Sequence, residues 1–140
     1  MMEFTRRRDW RVRLHAYLAS IKAAPLDYGA HDCGIGLAAG AIEALTGVDV
    51  AAPWRGRYDS AASALRMLRD DGYTDLEALG RSMLPALHPS RGQLGDIALV
   101  PTGEALDALG VVIGARIMVL TGSGTGTVDL LSARLVFRVG

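Results

Sequence analysis

Leu26-Asp-Tyr-Gly-Ala-His-Asp-Cys33-Gly-Ile-Gly-Leu-Ala-Ala-Gly-Ala-Ile-Glu-Ala-Leu-Thr46 is the stretch on which the fold turns. It begins as a loop, because Asp27 and Gly29 are turn residues that follow Pro25. It continues as a helix from Cys33 to Thr46, with Asp32 placed to cap it and Gly47 to stop it. Its interior is small and apolar: Gly34, Gly36, Ala38, Ala39, Gly40 and Ala41. Each glycine costs a helix about 0.8–1 kcal/mol relative to alanine. A helix that carries three of them is expected at the centre of a domain, where small residues let neighbours approach closely. The same spacing sets Cys33 at the first turn of that central helix.

Working outward, residues 9–23 form an amphipathic helix. Asp9 is the expected cap, and Trp10, Leu14, Tyr17, Leu18 and Ile21 make one apolar stripe before Pro25. Residues 51–58 read as a loop with two aromatics. Ser60 or Asp59 then caps a helix through Arg69, stopped by Gly72. Thr74 and Glu77 have the spacing of a capping box that opens a helix to about Leu84, closed by Pro85. After Gly92 the pattern changes to short apolar runs bounded by turn residues: 94–100, 109–114, 116–120 and 133–139, with 128–131 as a short strand between. Leu135 and Phe137 alternate with Val136 and Arg138. Runs this close together predict hairpins and an antiparallel sheet. Helices first and strands second give an α+β domain spanning residues 1–140, with N-terminal helices packed on a C-terminal antiparallel β-sheet.

Composition excludes several classes. Fifteen basic and fifteen acidic residues cancel, which argues against nucleic acid as the main partner. The arginines at 6, 7, 8, 11 and 13 read as a solvated helix face or a docking patch for an acidic partner. A single cysteine permits no internal disulfide. No apolar run follows the first arginines, so no signal peptide is expected. No stretch reaches the ~18 apolar residues of a span, so no membrane insertion is expected. His and Cys show no ligand spacing, so neither a metal nor another cofactor is expected.

The chemistry centres on His31-Asp32-Cys33. A helix N-terminus carries about half a positive charge, which favours thiolate and can lower a cysteine from a pKa of about 8.5 toward neutrality. Such a cysteine is either a nucleophile or a small buried residue at a helix start. A nucleophile also needs a base within reach. Three histidines are available: His15 beside the stripe of the first helix, His88 in a Pro-flanked loop, and His31 two residues before Cys33. His31 and His88 are the candidate substitute bases. Asp96 follows a glycine at a strand start and suits a bond to the preceding turn. Trp54, Arg55, Arg57 and Tyr58 suit an interface or a packed loop. With Tyr28 and Asp32, they are the candidate binding residues.

The order Leu26-Asp-Tyr-Gly-Ala-His-Asp-Cys33, Thr46-Gly-Val-Asp49, Arg55-Gly-Arg-Tyr58, Gly95-Asp-Ile-Ala-Leu-Val100, Leu109-Gly-Val-Val-Ile-Gly114 and Phe137-Arg-Val-Gly140 resembles the NlpC/P60 superfamily of papain-like cysteine peptidases. More narrowly, it resembles a phage and prophage family of unknown function within that fold. The resemblance covers nearly the whole chain and implies a papain-like fold with Cys33 at the nucleophile position. It sets Ala108 where the histidine base belongs, and apolar residues from Met118 to Leu120 where the third polar group belongs. It therefore implies a degenerate peptidase serving as a structural or assembly component of a tail tip, located in the virion and made in the bacterial host cytoplasm. Its partners would be phage tail hub or baseplate proteins. The alternative is a cysteine amidase that cuts peptidoglycan stem peptides during phage entry, and a third reading is an assembly chaperone absent from the particle.

Overall fold

The structure, a computed structural model, describes residues 2–140. Four α-helices precede or flank a six-stranded sheet in which every strand pair is antiparallel. The helices are α1 (Trp10–Ser20), α2 (Ala39–Thr46), α3 (Ala61–Asp70) and α4 (Leu76–Met83). The strands are β1 (Ala86–Leu87), β2 (Ile97–Val100), β3 (Ala108–Val112), β4 (Arg116–Thr121), β5 (Gly124–Asp129) and β6 (Leu135–Phe137), in spatial order β1-β6-β2-β3-β4-β5. This is the α+β arrangement that the helix-then-strand pattern predicts.

The central helix departs from expectation. It is not one α-helix from Cys33 but a π-helical turn, Cys33–Ala38, that runs into α2. The carbonyl of Asp32 accepts from both Gly36 N and Leu37 N at 3.0 Å, so the turn is widened by one residue. Tyr17 helps hold it there, its hydroxyl donating to Gly36 O at 2.5 Å. The small residues do allow close approach. A Cβ at Gly36 would overlap the His31 ring, and one at Gly40 would overlap the Tyr17 hydroxyl. Gly47 ends α2 in the left-handed conformation, φ 81°, as its position predicts.

Other boundaries shift for local reasons. α1 stops at Ser20, and the Asp9 carboxylate caps nothing because it pairs with Arg13. Ser60 caps α3, and Ser63 completes a capping box that the sequence reading omits. α4 is capped by Asp75, which accepts from Ala78 N at 2.8 Å, so the expected Thr74–Glu77 box does not form. Of the expected strand at 128–131, residues 128 and 129 end β5, which starts in the glycine-rich loop at Gly124, while 130 and 131 open the 3-10 turn Leu130–Ser132.

The core lies between the helices and one sheet face. Leu14, Leu37, Leu45, Ile97, Leu99, Val111 and Phe137 are all buried there. The opposite face is covered too: Ala98, Val100, Val112 and Val136 pack with Leu130 and Ala133 from the turn before β6. β6 is therefore buried on both faces, which is why Val136 is as apolar as its neighbours. Only Arg138 reaches solvent on the polar side of the alternation.

The arginine cluster is not one solvated face. Arg6 is half-buried and ties three segments together, donating to Val139 O at 2.7 Å, Leu94 O at 2.8 Å and Asp96 Oδ1 at 3.2 Å. Asp96 is buried and also accepts from Gln93 N in the preceding turn and from Val139 N. Arg6 and Arg11 both stack on Trp10, at 4.3 and 4.5 Å from its ring.

Candidate functional site

Cys33 opens the π-helical turn, which packs against β3. β4 pairs with β3 only from Val111 onward, so the first half of β3 has β2 on one side and no strand on the other. Cys33 sits at that free edge, where the backbone amide of Leu109 acts on its thiol. The sheet thus meets the cysteine-bearing turn as expected, with Ala108 heading β3. The strand's period of two turns Leu109, not Ala108, into the pocket beside Cys33.

Asp32 dominates the electrostatics. It is 3 % exposed and its carboxylate accepts four donors: Gly34 N at 2.9 Å and Ile35 N at 2.8 Å on Oδ1, and Gly29 N at 3.0 Å and the Tyr58 hydroxyl at 2.5 Å on Oδ2. The amides of the first helical turn are therefore already satisfied by a negative charge. The expectation that the helix end lowers the Cys33 pKa fails first because the sulfur is buried, and Asp32 adds to this. Burial of the sulfur pushes the thiol up to about 11; the Leu109 amide pulls it down, the Asp32 carboxylate adds to the rise, and the Cys33 and Gly34 amides lower it slightly. At neutral pH Cys33 is a neutral thiol. Tyr58 is raised as well, first by burial and then by its bond to Asp32, so its hydroxyl stays protonated.

The three histidines go elsewhere. His31 turns back against the backbone of Gly36, and its Nε2 is buried without a hydrogen-bond partner. His88 caps the short turn Pro89–Arg91, its Nδ1 bonded to Ser90. His15 lines a separate groove between α1 and the sheet, together with Arg11 and Lys22. None of the three lines the Cys33 pocket. The described residues contain no cluster of His, Cys, Asp and Glu able to hold a metal ion, and none of their helices is long and apolar enough to cross a membrane.

The loop at 51–58 is internally paired. Arg57 and Asp71 meet through two bonds of 3.0 Å, and Trp54 Nε1 donates to the same carboxylate at 2.9 Å. Arg55 pairs with Asp49 in the same two-bond manner. Trp54 and Tyr58 pack on Ile35, Ala39 and Ala51. The loop thus braces the cysteine-bearing turn, and Tyr28 stands partly exposed at the pocket mouth.

Behind Cys33 the sequence reading misses a cavity of about 130 Å³. It runs from Asp32, Cys33 and Tyr58 inward past α3 and α4 to Phe137. Its one legible sign is the run Leu76, Leu79, Gly80, Met83, a helical stripe at i, i+3, i+4 and i+7.

A comparison with curated proteins finds no match. Residues 5–139 match a family model described as a domain of unknown function, DUF6950. That match spans nearly all of the 140 residues, so the chain belongs to the DUF6950 family.

Proposed function

We propose that this protein is a structural or assembly component of a phage, prophage or gene-transfer particle tail tip, built on a papain-like NlpC/P60 fold that no longer hydrolyses peptides. The observation that carries the loss of hydrolysis is the isolation of Cys33. Its thiol is neutral, no imidazole lines its pocket, and the amides of the following turn are committed to Asp32. General acid–base assistance is typically worth 10²–10⁴ in rate, and members of a catalytic unit fail together. The tail-tip role rests on the motif order and its resemblance. The observed order of helices before an antiparallel sheet, with Cys33 at a helix start beside β3, supports the fold part of the reading.

Two measurements test the proposal. Purified particles, digested and analysed by mass spectrometry, are expected to contain this chain at a fixed ratio to hub or baseplate subunits. Its absence from particles would favour an assembly chaperone. Incubation of the protein with peptidoglycan stem-peptide fragments is expected to give no product. Cleavage that disappears in Cys33→Ala would establish the amidase instead.

A further inference from the structure

We infer that the cavity behind Cys33 is a binding site for a small uncharged apolar ligand, a ring or short aliphatic chain of about six carbons, walled by α3 and α4. Three observations carry this. The pocket holds about 130 Å³ and opens to solvent beside Tyr28; an apolar cavity of ~150 Å³ suffices to take up benzene or xenon in an engineered protein. Both wall helices turn an apolar stripe toward it: Ala64, Met67 and Leu68 from α3, and Leu79 and Met83 with their neighbours from α4. Yet α4 has no fully buried residue. Its stripe is only partly covered: Leu76 and Met83 touch the core and Gly80 lies against the Phe137 ring, while the rest of the stripe lines the void. Met67 and Met83 are unbranched and adaptable, so they suit a wall that reshapes around a guest.

The polar groups at the rim define the ligand class. The Asp32 carboxylate is saturated by its four donors, the Tyr58 hydroxyl is spent on Asp32, and the Cys33 thiol is neutral. No histidine, lysine or arginine lines the cavity. A charged ligand would lose its hydration and gain no partner. A neutral one loses little. The site therefore selects against carboxylates and amines of the same carbon skeleton. This inference does not depend on a role in a particle, because it is read on the isolated protein.

The experiment uses protein carrying ¹³C-methyl methionine, titrated with 1-hexanol and, separately, with hexanoate at pH 7. Hexanol is expected to shift the Met67 and Met83 methyls saturably and to leave Met118, which lies in the α1 groove, unmoved. Hexanoate is expected to bind at least tenfold more weakly. Ala64→Leu, which grows into the void, is expected to abolish the shifts while keeping the folded spectrum; Leu79→Phe serves as a second filling variant should Ala64→Leu unfold. The inference is overturned if hexanol moves neither methyl up to its solubility limit. It is overturned equally if hexanoate binds as well as hexanol, or if a folded filling variant still binds.

Discussion

The Tyr58 hydroxyl donates to Oδ2 of Asp32 across 2.5 Å, bridging the 51–58 loop to the turn that carries Cys33. Three backbone amides share the same carboxylate. Tyr58→Phe removes one donor and is expected to cost about 1.5–3 kcal/mol, the range for a bond to a charged group. Asp32→Ala removes the cap and strands all four donors, so its cost should be about 3 kcal/mol or more. The double variant should cost less than the sum, because the two share one bond. Urea unfolding of the three variants measures this; strict additivity would mean that the bridge contributes nothing.

The raised thiol makes stability depend on alkaline pH. Below its ordinary pKa of 9.0, Cys33 is protonated both folded and unfolded, and its contribution is complete. As pH climbs, the unfolded thiol ionises first. The contribution drains away until the folded thiol itself ionises near 11. Two pH units correspond to about 2–3 kcal/mol at most. Tyr58, raised from 10.0, acts in the same direction at the upper end. Tm should be insensitive to this pair below pH 9 and fall above it, and Cys33→Ala should flatten part of that fall. Iodoacetamide should label native Cys33 slowly at pH 8 and the urea-unfolded chain quickly. Fast native labelling would show an exposed thiolate.

Gly40→Ala offers a test of sign. In an exposed helix this change stabilises by about 0.8–1 kcal/mol. Here the new methyl would collide with the Tyr17 ring and hydroxyl and break the bond from Tyr17 to Gly36 O. A net loss of about 1–3 kcal/mol is expected. A gain in Tm would mean that α1 can swing away without cost.

The β5 edge of the sheet is guarded. Lys22 O accepts from Thr125 N at 3.1 Å, and the Arg116 guanidinium covers Thr127 O and pairs with Asp129. Arg116→Ala should leave the fold nearly as stable, since the pair is exposed. It should also open strand backbone to a second copy. Sedimentation velocity over a concentration series is expected to show new self-association. An unchanged monomer would mean that Lys22 alone closes the edge.

Legibility followed sequence distance. Asp32 at the helix start, Gly47 at its end, Ser60 before α3 and the apolar runs of β2, β3 and β4 are local signals, and the structure reproduces them. The π-helical turn was not legible, because a one-residue change in hydrogen-bond register leaves the apolar pattern unaltered. β1 is two residues long and exists only because β6 lies beside it. At the site, Cys33 and Asp32 stood out at once. The state of the thiol did not, since it depends on how deeply the fold buries the sulfur and on groups as distant as the Leu109 amide, 76 positions away. The cavity draws on α2, α3, α4 and β6 together, and no single window contains it.

The last strand in the chain is an interior strand of the sheet, inserted between β1 and β2. During translation, the edges of β1 and β2 that β6 will join therefore stay open until residues 135–137 have left the ribosome. Arg6, made well before the sheet, gains its Val139 partner later still. Synthesis from the N-terminus cannot complete this sheet piecemeal: a nascent chain stalled before β6 would present two bare strand edges to the cell's chaperones.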